Sequence, residues 1–203
     1  AFGDPKYTLS LSRRFTISTA LDALSHAVEG YFSKASDPIS DSFAILAIEL
    51  LVPALRELRD LPEEGFAPSY SLRERLYAAS LYGGMTINKT GTAFCHQMGY
   101  TLTEDHNVPH GQACAAFLPE YIRHSTLAVP DKAQKLFTHL DLFAGPFCQL
   151  IQSLTDAQWP DYTPAQVEEL LSRWSGSVNM QRTPGNFDAE SQRAVALKVL
   201  GRQ

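Results

Sequence analysis

The sequence predicts an all-α protein, and three observations carry that prediction. Apolar residues recur at helical spacing through most of the 203 residues. Capping residues and Pro or Gly breaks punctuate those stretches at intervals suited to helices of ordinary length. Strand-like alternation is confined to short pieces.

Residues 1–15 read as extended or irregular, with Asp4-Pro5 as a turn signal. Ser18 or Thr19 is placed to cap a first helix running to about Ser33, in which Leu21, Leu24, Ala27, Val28 and Tyr31 recur at helical spacing. Asp37-Pro38 breaks the chain. A second helix follows from about Ser40 to Leu58, and Pro53 inside it is expected to kink it. Pro62, Gly65 and Pro68 mark a loop over 60–70.

Ser71 then caps a third helix through about Ile87, since Ser71-Leu72-Arg73-Glu74 has the capping-box form. Gly83-Gly84 lies inside it. A helix glycine costs about 1 kcal/mol relative to Ala, so a close backbone approach is expected there. Two helices over 91–102 and 111–124 are joined by a loop bearing His106 and His110. The remainder reads as helices near 129–143, 145–155, 164–174 and 188–199, with no repeat and no low-complexity tract.

The totals bound the function. Residues 1–203 suffice for one sizeable core, and 44% hydrophobic with 19% charged residues argues against disorder. A net charge of −5 gives no reason to expect nucleic acid. No uninterrupted apolar run reaches the roughly eighteen residues of a membrane helix, so no membrane partner is expected. Three cysteines without a close pairing pattern suit a reducing compartment, and the cytoplasm is the expected location. The chain opens without Met or a signal peptide, on residues that read like the middle of a connection. It is therefore expected to belong to a longer polypeptide. A homo-oligomer is neither required nor excluded by any of this.

Four residues in two segments stand out. Asp22 and His26 lie one turn apart on one helical face. His96 and His110 follow in the segment CHQMGYTLTEDHNVPHG, where Pro109 and Gly111 bracket His110 as befits a residue that must be aimed. One carboxylate and three imidazoles suit a borderline divalent cation such as Fe²⁺ or Zn²⁺. Taken singly, each has a plainer reading: an Asp in a first helical turn is favoured by the dipole, and a lone helical His is usually packed or solvated. Cys95 is a soft donor beside His96, but adjacent helical residues point in different directions. His106 reads alone as a loop-surface residue, and His124 and His139 as structural. No phosphate-cradling G-x-G-x-x-G or G-x-x-x-x-G-K-[ST] is present.

The stretch Thr19-Ala20-Leu21-Asp22-Ala23-Leu24-Ser25-His26-Ala27-Val28-Glu29-Gly30-Tyr31 resembles the metal-binding helix of the iron-containing (group III) alcohol dehydrogenases. Gly91 to Pro119, with His96, Pro109-His110-Gly111 and Leu118-Pro119, resembles that family's second signature. The resemblance covers about Asp4 to Arg123 and returns at Asn179 to Asp188. It implies the family's C-terminal multi-helix metal-binding domain, of the dehydroquinate synthase-like type, with Asp22, His26, His96 and His110 as metal ligands. It implies an NAD(P)-dependent alcohol dehydrogenase or aldehyde reductase, acting on a small alcohol or aldehyde, with Fe²⁺ or Zn²⁺ polarising the substrate oxygen for hydride transfer.

Two departures qualify it. Many members carry a further histidine four residues after the third ligand, near the nicotinamide; here that position is Tyr100. Tyr100 or His106 is therefore expected to face the metal cavity as the polar, proton-relaying group. The family's N-terminal dinucleotide-binding domain has no counterpart in residues 1–203, so these residues are expected to fold alone but not to turn over alcohol. The rival reading is a helical metal-binding module with a structural or hydrolytic role.

Overall fold

The computed structural model describes residues 3–201, and among them every regular element is helical. After a single 3-10 turn over Pro5–Thr8 come α1 (Arg13–Phe32), α2 (Pro38–Asp60), α3 (Tyr70–Thr90), α4 (Phe94–His106) and α5 (His110–Ala128). The second half holds α6 (Pro130–His139), α7 (Ala144–Leu154), α8 (Pro164–Trp174), α9 (Val178–Arg182) and α10 (Ala189–Leu200).

α1 is the hub. It packs against α2, α3 and α5 at once, so residues on nearly every side of it are buried, from Thr16 and Ile17 to Tyr31 and Phe32. α4 and α5 form a pair, and α7 and α10 cover the outer side of α5. One continuous core runs through Leu21, Leu24, Ile48, Leu55, Phe94 and Phe117. α2 has the length and hydropathy to cross a membrane, yet its apolar face, including Ile48, Leu51 and Leu55, is buried in this core.

Local chemistry sets the boundaries, with some corrections to the expected ones. α1 begins earlier than Ser18: the Ser12 hydroxyl caps it by accepting from the Phe15 amide. α2 starts at Pro38 behind a capping box of Asp37 and Ser40. Pro53 lies inside α2 without ending it. Pro53 and Glu49, whose carbonyl loses its partner, are both exposed, so water can take that bond. α3 is capped by Ser69, not Ser71, so the Ser71–Glu74 tetrad sits within the helix. α4 runs to His106, and Asn107 ends it in the left-handed region (φ 54°). His106 is thus helical, not in a loop. The five-residue α9 was not expected at all.

Small residues let α1 approach its neighbours. A Cβ on Gly83 would lie 3.0 Å from the Ala23 carbonyl oxygen and 3.5 Å from His26 Cβ, while Gly84 has nothing within 4 Å. Only the first of the two glycines therefore serves the close approach. The tightest crossing is at Gly111, where a Cβ would fall 1.8 Å from the Ser18 carbonyl oxygen and 3.0 Å from Asp22 Cβ. Gly111→Ala should push α5 off α1 and destabilise the protein by at least about 2 kcal/mol. Gly84→Ala, in open helix, should be neutral or stabilising by up to about 1 kcal/mol. Equal unfolding midpoints for the two variants in a denaturant titration would contradict this packing.

Candidate metal centre

α1, α4 and the start of α5 bring Asp22, His26, His96 and His110 to one place. Asp22 Oδ1 lies 3.6 Å from His26 Nε2, 3.6 Å from His96 Nε2 and 3.6 Å from His110 Nε2. The His26 and His96 rings stack at 4.9 Å, and those of His96 and His110 meet edge to face at 5.2 Å. Around an ion with ligand distances of about 2.0–2.2 Å, a tetrahedral shell has edges of about 3.3–3.6 Å. The three distances from Asp22 match such an edge, while the donor atoms that all lie within 4.8 Å of one another are those of Asp22, His96, His110 and Cys114, with His26 outside that group.

Two atoms in the cluster are left without partners. Asp22 Oδ1 and His96 Nε2 are buried and accept or donate no hydrogen bond within the protein. A buried polar atom without a partner is costly, and a cation between these donors would satisfy both. Three imidazoles beside one carboxylate are the donors Fe²⁺ and Zn²⁺ take.

Glu29 underpins the cluster and was missed in the sequence. It is fully buried, seven residues beyond Asp22 and three beyond His26 on the same face of α1. Its Oε1 accepts from the backbone amides of Ala93 (3.0 Å), Cys95 (2.8 Å) and His96 (3.3 Å), and its Oε2 contacts His96 Nδ1. One carboxylate thus caps the N-terminus of α4 and fixes the His96 ring with Nε2 facing the cluster. Tyr121 Oη donates to the Glu29 carbonyl oxygen at 3.0 Å and steadies that turn of α1. The signal for Glu29 was its spacing: a carboxylate on the face that already carried Asp22 and His26.

The electrostatics follow from burial and this contact. Burial disfavours charge on Asp22, but His96, His26 and His110 overcome it and hold the carboxyl below its ordinary value. Burial lowers His26 and His110 in spite of Asp22, which keeps both rings neutral near pH 7. Burial acts against charge on His96 too, but Glu29 and Asp22 prevail and raise it well above the ordinary histidine value.

Tyr100 and His106 part company. Tyr100 stacks on His110 at 5.6 Å and meets His96 edge-on at 6.4 Å, with 37% of its surface exposed. It borders the open side of the cluster, where the His110 side chain is also 37% exposed. His106 sits at the far end of α4, about 15 Å along the helix axis from His96, and its Nε2 lies 2.7 Å from Tyr162 Oη. Cys95 is buried away from the cluster donors, whereas Cys114 on α5, which the sequence did not single out, lies among them.

The chain has relatives both in sequence and in structure. The profile of the Fe-containing alcohol dehydrogenase family, C-terminal, matches residues 16–175. The chain is 36% identical over 132 residues to 1,3-propanediol dehydrogenase of Citrobacter freundii, covering 65% of this chain and 33% of that protein. It is 24% identical over 192 residues to NADPH-dependent butanol dehydrogenase of Clostridium saccharobutylicum, covering 95% and 47%. The iron-containing alcohol dehydrogenase of Thermotoga maritima superposes with a TM-score of 0.81 at 32% identity, over 98% of this chain and 53% of that one. Sulfoacetaldehyde reductase of Bifidobacterium kashiwanohense shares the fold, with a TM-score of 0.85 at 24% identity. The chain spans between a third and about half of the length of these relatives. A profile match that takes in all four converging residues, over most of the chain, makes this protein a member of the Fe-containing alcohol dehydrogenase family, matching its C-terminal part.

Proposed function

We propose that this chain is the metal-binding, substrate-facing half of an NAD(P)-dependent alcohol dehydrogenase or aldehyde reductase of the cytoplasm. Asp22, His26, His96 and His110 would hold Fe²⁺ or Zn²⁺. The observation that carries the reading is the buried, unpartnered Asp22 Oδ1 at 3.6 Å from three imidazole nitrogens. The bound ion would supply Lewis acidity toward an alcohol or aldehyde oxygen.

The chain's own residues do the rest. Glu29 keeps His96 in the orientation that offers Nε2. Asp22 brings negative charge that offsets a divalent ion. His26 and His110, held neutral by burial, can each offer a ring-nitrogen lone pair. Tyr100 borders the exposed side and is the phenol best placed to pass a proton to or from the substrate oxygen. His106, engaged with Tyr162 at the other end of α4, takes no part. Partial exposure at His110 and Tyr100 favours a substrate-facing site over a closed structural one.

Hydride transfer needs a nicotinamide about 3–3.5 Å from the reacting carbon, and the sequence lacks a glycine-rich phosphate loop. The 203-residue chain, metal-loaded and supplied with NAD⁺ or NADP⁺ and small primary alcohols, should bind about one ion and show turnover at background. Metal analysis and absorbance at the reduced-nicotinamide band check both halves. Absent metal would overturn the site, and robust turnover would overturn the division of labour.

A further inference from the structure

Cys114 stands one helical turn after His110 on α5, and the function proposed above makes no use of it. Its Sγ lies 3.6 Å from His110 Nε2. Asp22, His96, His110 and Cys114 each offer a donor atom, all within 4.8 Å of one another. The cysteine is fully buried. His96 Nε2 faces the same space without a protein partner, on a side chain only 3% exposed. A free buried Cys is ordinarily a small hydrophobe, but hydrophobes are not usually set beside buried atoms without partners, as Asp22 Oδ1 and His96 Nε2 are. The other two cysteines are placed differently: Cys95 lies outside this group, and Cys148 Sγ lies 3.9 Å from the Pro119 carbonyl oxygen.

We propose that Cys114 is a metal donor. Asp22, His96 and His110 are then shared by two overlapping sets, one completed from α1 by His26 and the other from α5 by the Cys114 thiolate. Thiolate is a soft ligand that favours Zn²⁺ and Co²⁺ over Fe²⁺. On coordination the sulfur–hydrogen bond is exchanged for a sulfur–metal bond, and the proton passes to the buffer. The protein is thereby biased toward thiophilic ions, and Zn²⁺ is held by sulfur as well as nitrogen. This inference rests on the metal site proposed above.

Cobalt substitution separates the two ideas. Bound Co²⁺ reports its presence by visible ligand-field bands, and a thiolate ligand adds a sulfur-to-cobalt charge-transfer band in the near ultraviolet. Both are expected in the protein. Cys114→Ser should lose the charge-transfer band and keep the visible ones, and its Zn²⁺ affinity should fall by about tenfold or more. The double variant Cys95→Ser/Cys148→Ser, in which Cys114 is the sole thiol, should keep both bands, and it decides the matter if Cys114→Ser does not fold. Visible bands without a thiolate band in the protein, or a thiolate band that survives Cys114→Ser, would overturn the role of Cys114 alone. If Co²⁺ gives neither set of bands, or if Asp22→Asn leaves both unchanged, the metal site itself fails.

Discussion

Asp22→Asn and His96→Ala proteins should retain no metal after desalting, where the unaltered chain keeps about one ion. Both residues belong to every donor set the cluster offers, and both contribute a buried atom with no other partner. Losing either should cut affinity by more than about 100-fold, beyond the 10–100-fold usual for a supporting residue. His26→Ala should be milder, because Cys114 remains. Elemental analysis of the three variants gives the order directly, and unchanged content in Asp22→Asn or His96→Ala would sink the assignment.

Protons compete with the ion, so retention is lost as pH falls. Without metal, His96 holds its second proton well above the ordinary histidine range. Binding near neutrality must therefore displace one proton from His96, and a second wherever the Cys114 thiolate is engaged, so affinity should fall at least about tenfold per pH unit. His26 and His110 are already neutral there, their values lying below the ordinary one of about 6.5. As pH drops into that lower range they begin to take protons, and the dependence steepens. An affinity that stays flat between about pH 8 and pH 5 would mean that these imidazoles are not ligands.

Glu29 offers the second large effect, and two substitutions divide it. Glu29→Ala strands three backbone amides and His96 Nδ1 in the core. Losing one side of a buried charged contact costs about 3–5 kcal/mol, a sizeable share of a typical 5–15 kcal/mol stability. Glu29→Gln keeps an oxygen for the three amides but turns an NH₂ toward His96 Nδ1. That group would donate where the carboxylate accepted, favouring the tautomer protonated at Nε2, the atom meant for the metal. The Gln variant should therefore lose only about 1–3 kcal/mol of stability, yet bind metal about 10–100-fold more weakly. Denaturant unfolding of the metal-free protein and metal titration read the two quantities separately. A Gln variant that bound metal normally would reduce Glu29 to a helix cap.

Local signals were legible in part, and tertiary ones were not. The expected bounds of α8, near 164–174, agree with the helix, whose start is fixed by a capping box of Thr163 and Gln166 with Pro164 in the first turn. The start of α1 was placed too late although its signal is just as local: Ser12 caps it, accepting from the Phe15 amide, and Ser18 and Thr19 lie inside the helix. α9 is too short to show a period. Asp22 and His26 were visible as a pair because one helix holds both. That His96 and His110 join them is a property of how α4 and α5 pack on α1, and only the family resemblance implied it. Glu29 escaped notice because an acid on a helix is ordinarily solvated, and the amides that justify its burial lie on another helix. His106 was weighed by its distance along the sequence, but nearly three helical turns carry it away from the cluster.

α4 begins at a residue with no capping side chain of its own: Ala93 contributes none, and the acceptor comes from Glu29, 64 to 67 residues earlier. A 13-residue helix without a local cap is marginal in isolation, and closing so long a loop costs entropy before any bond rewards it. The first turn of α4 is therefore expected to form only once α1 docks. The amides of Ala93, Cys95 and His96 are expected to exchange with solvent hydrogen only when the two helices part. Their exchange rates thus measure separation of the α1–α4 seam rather than fraying of a helix end.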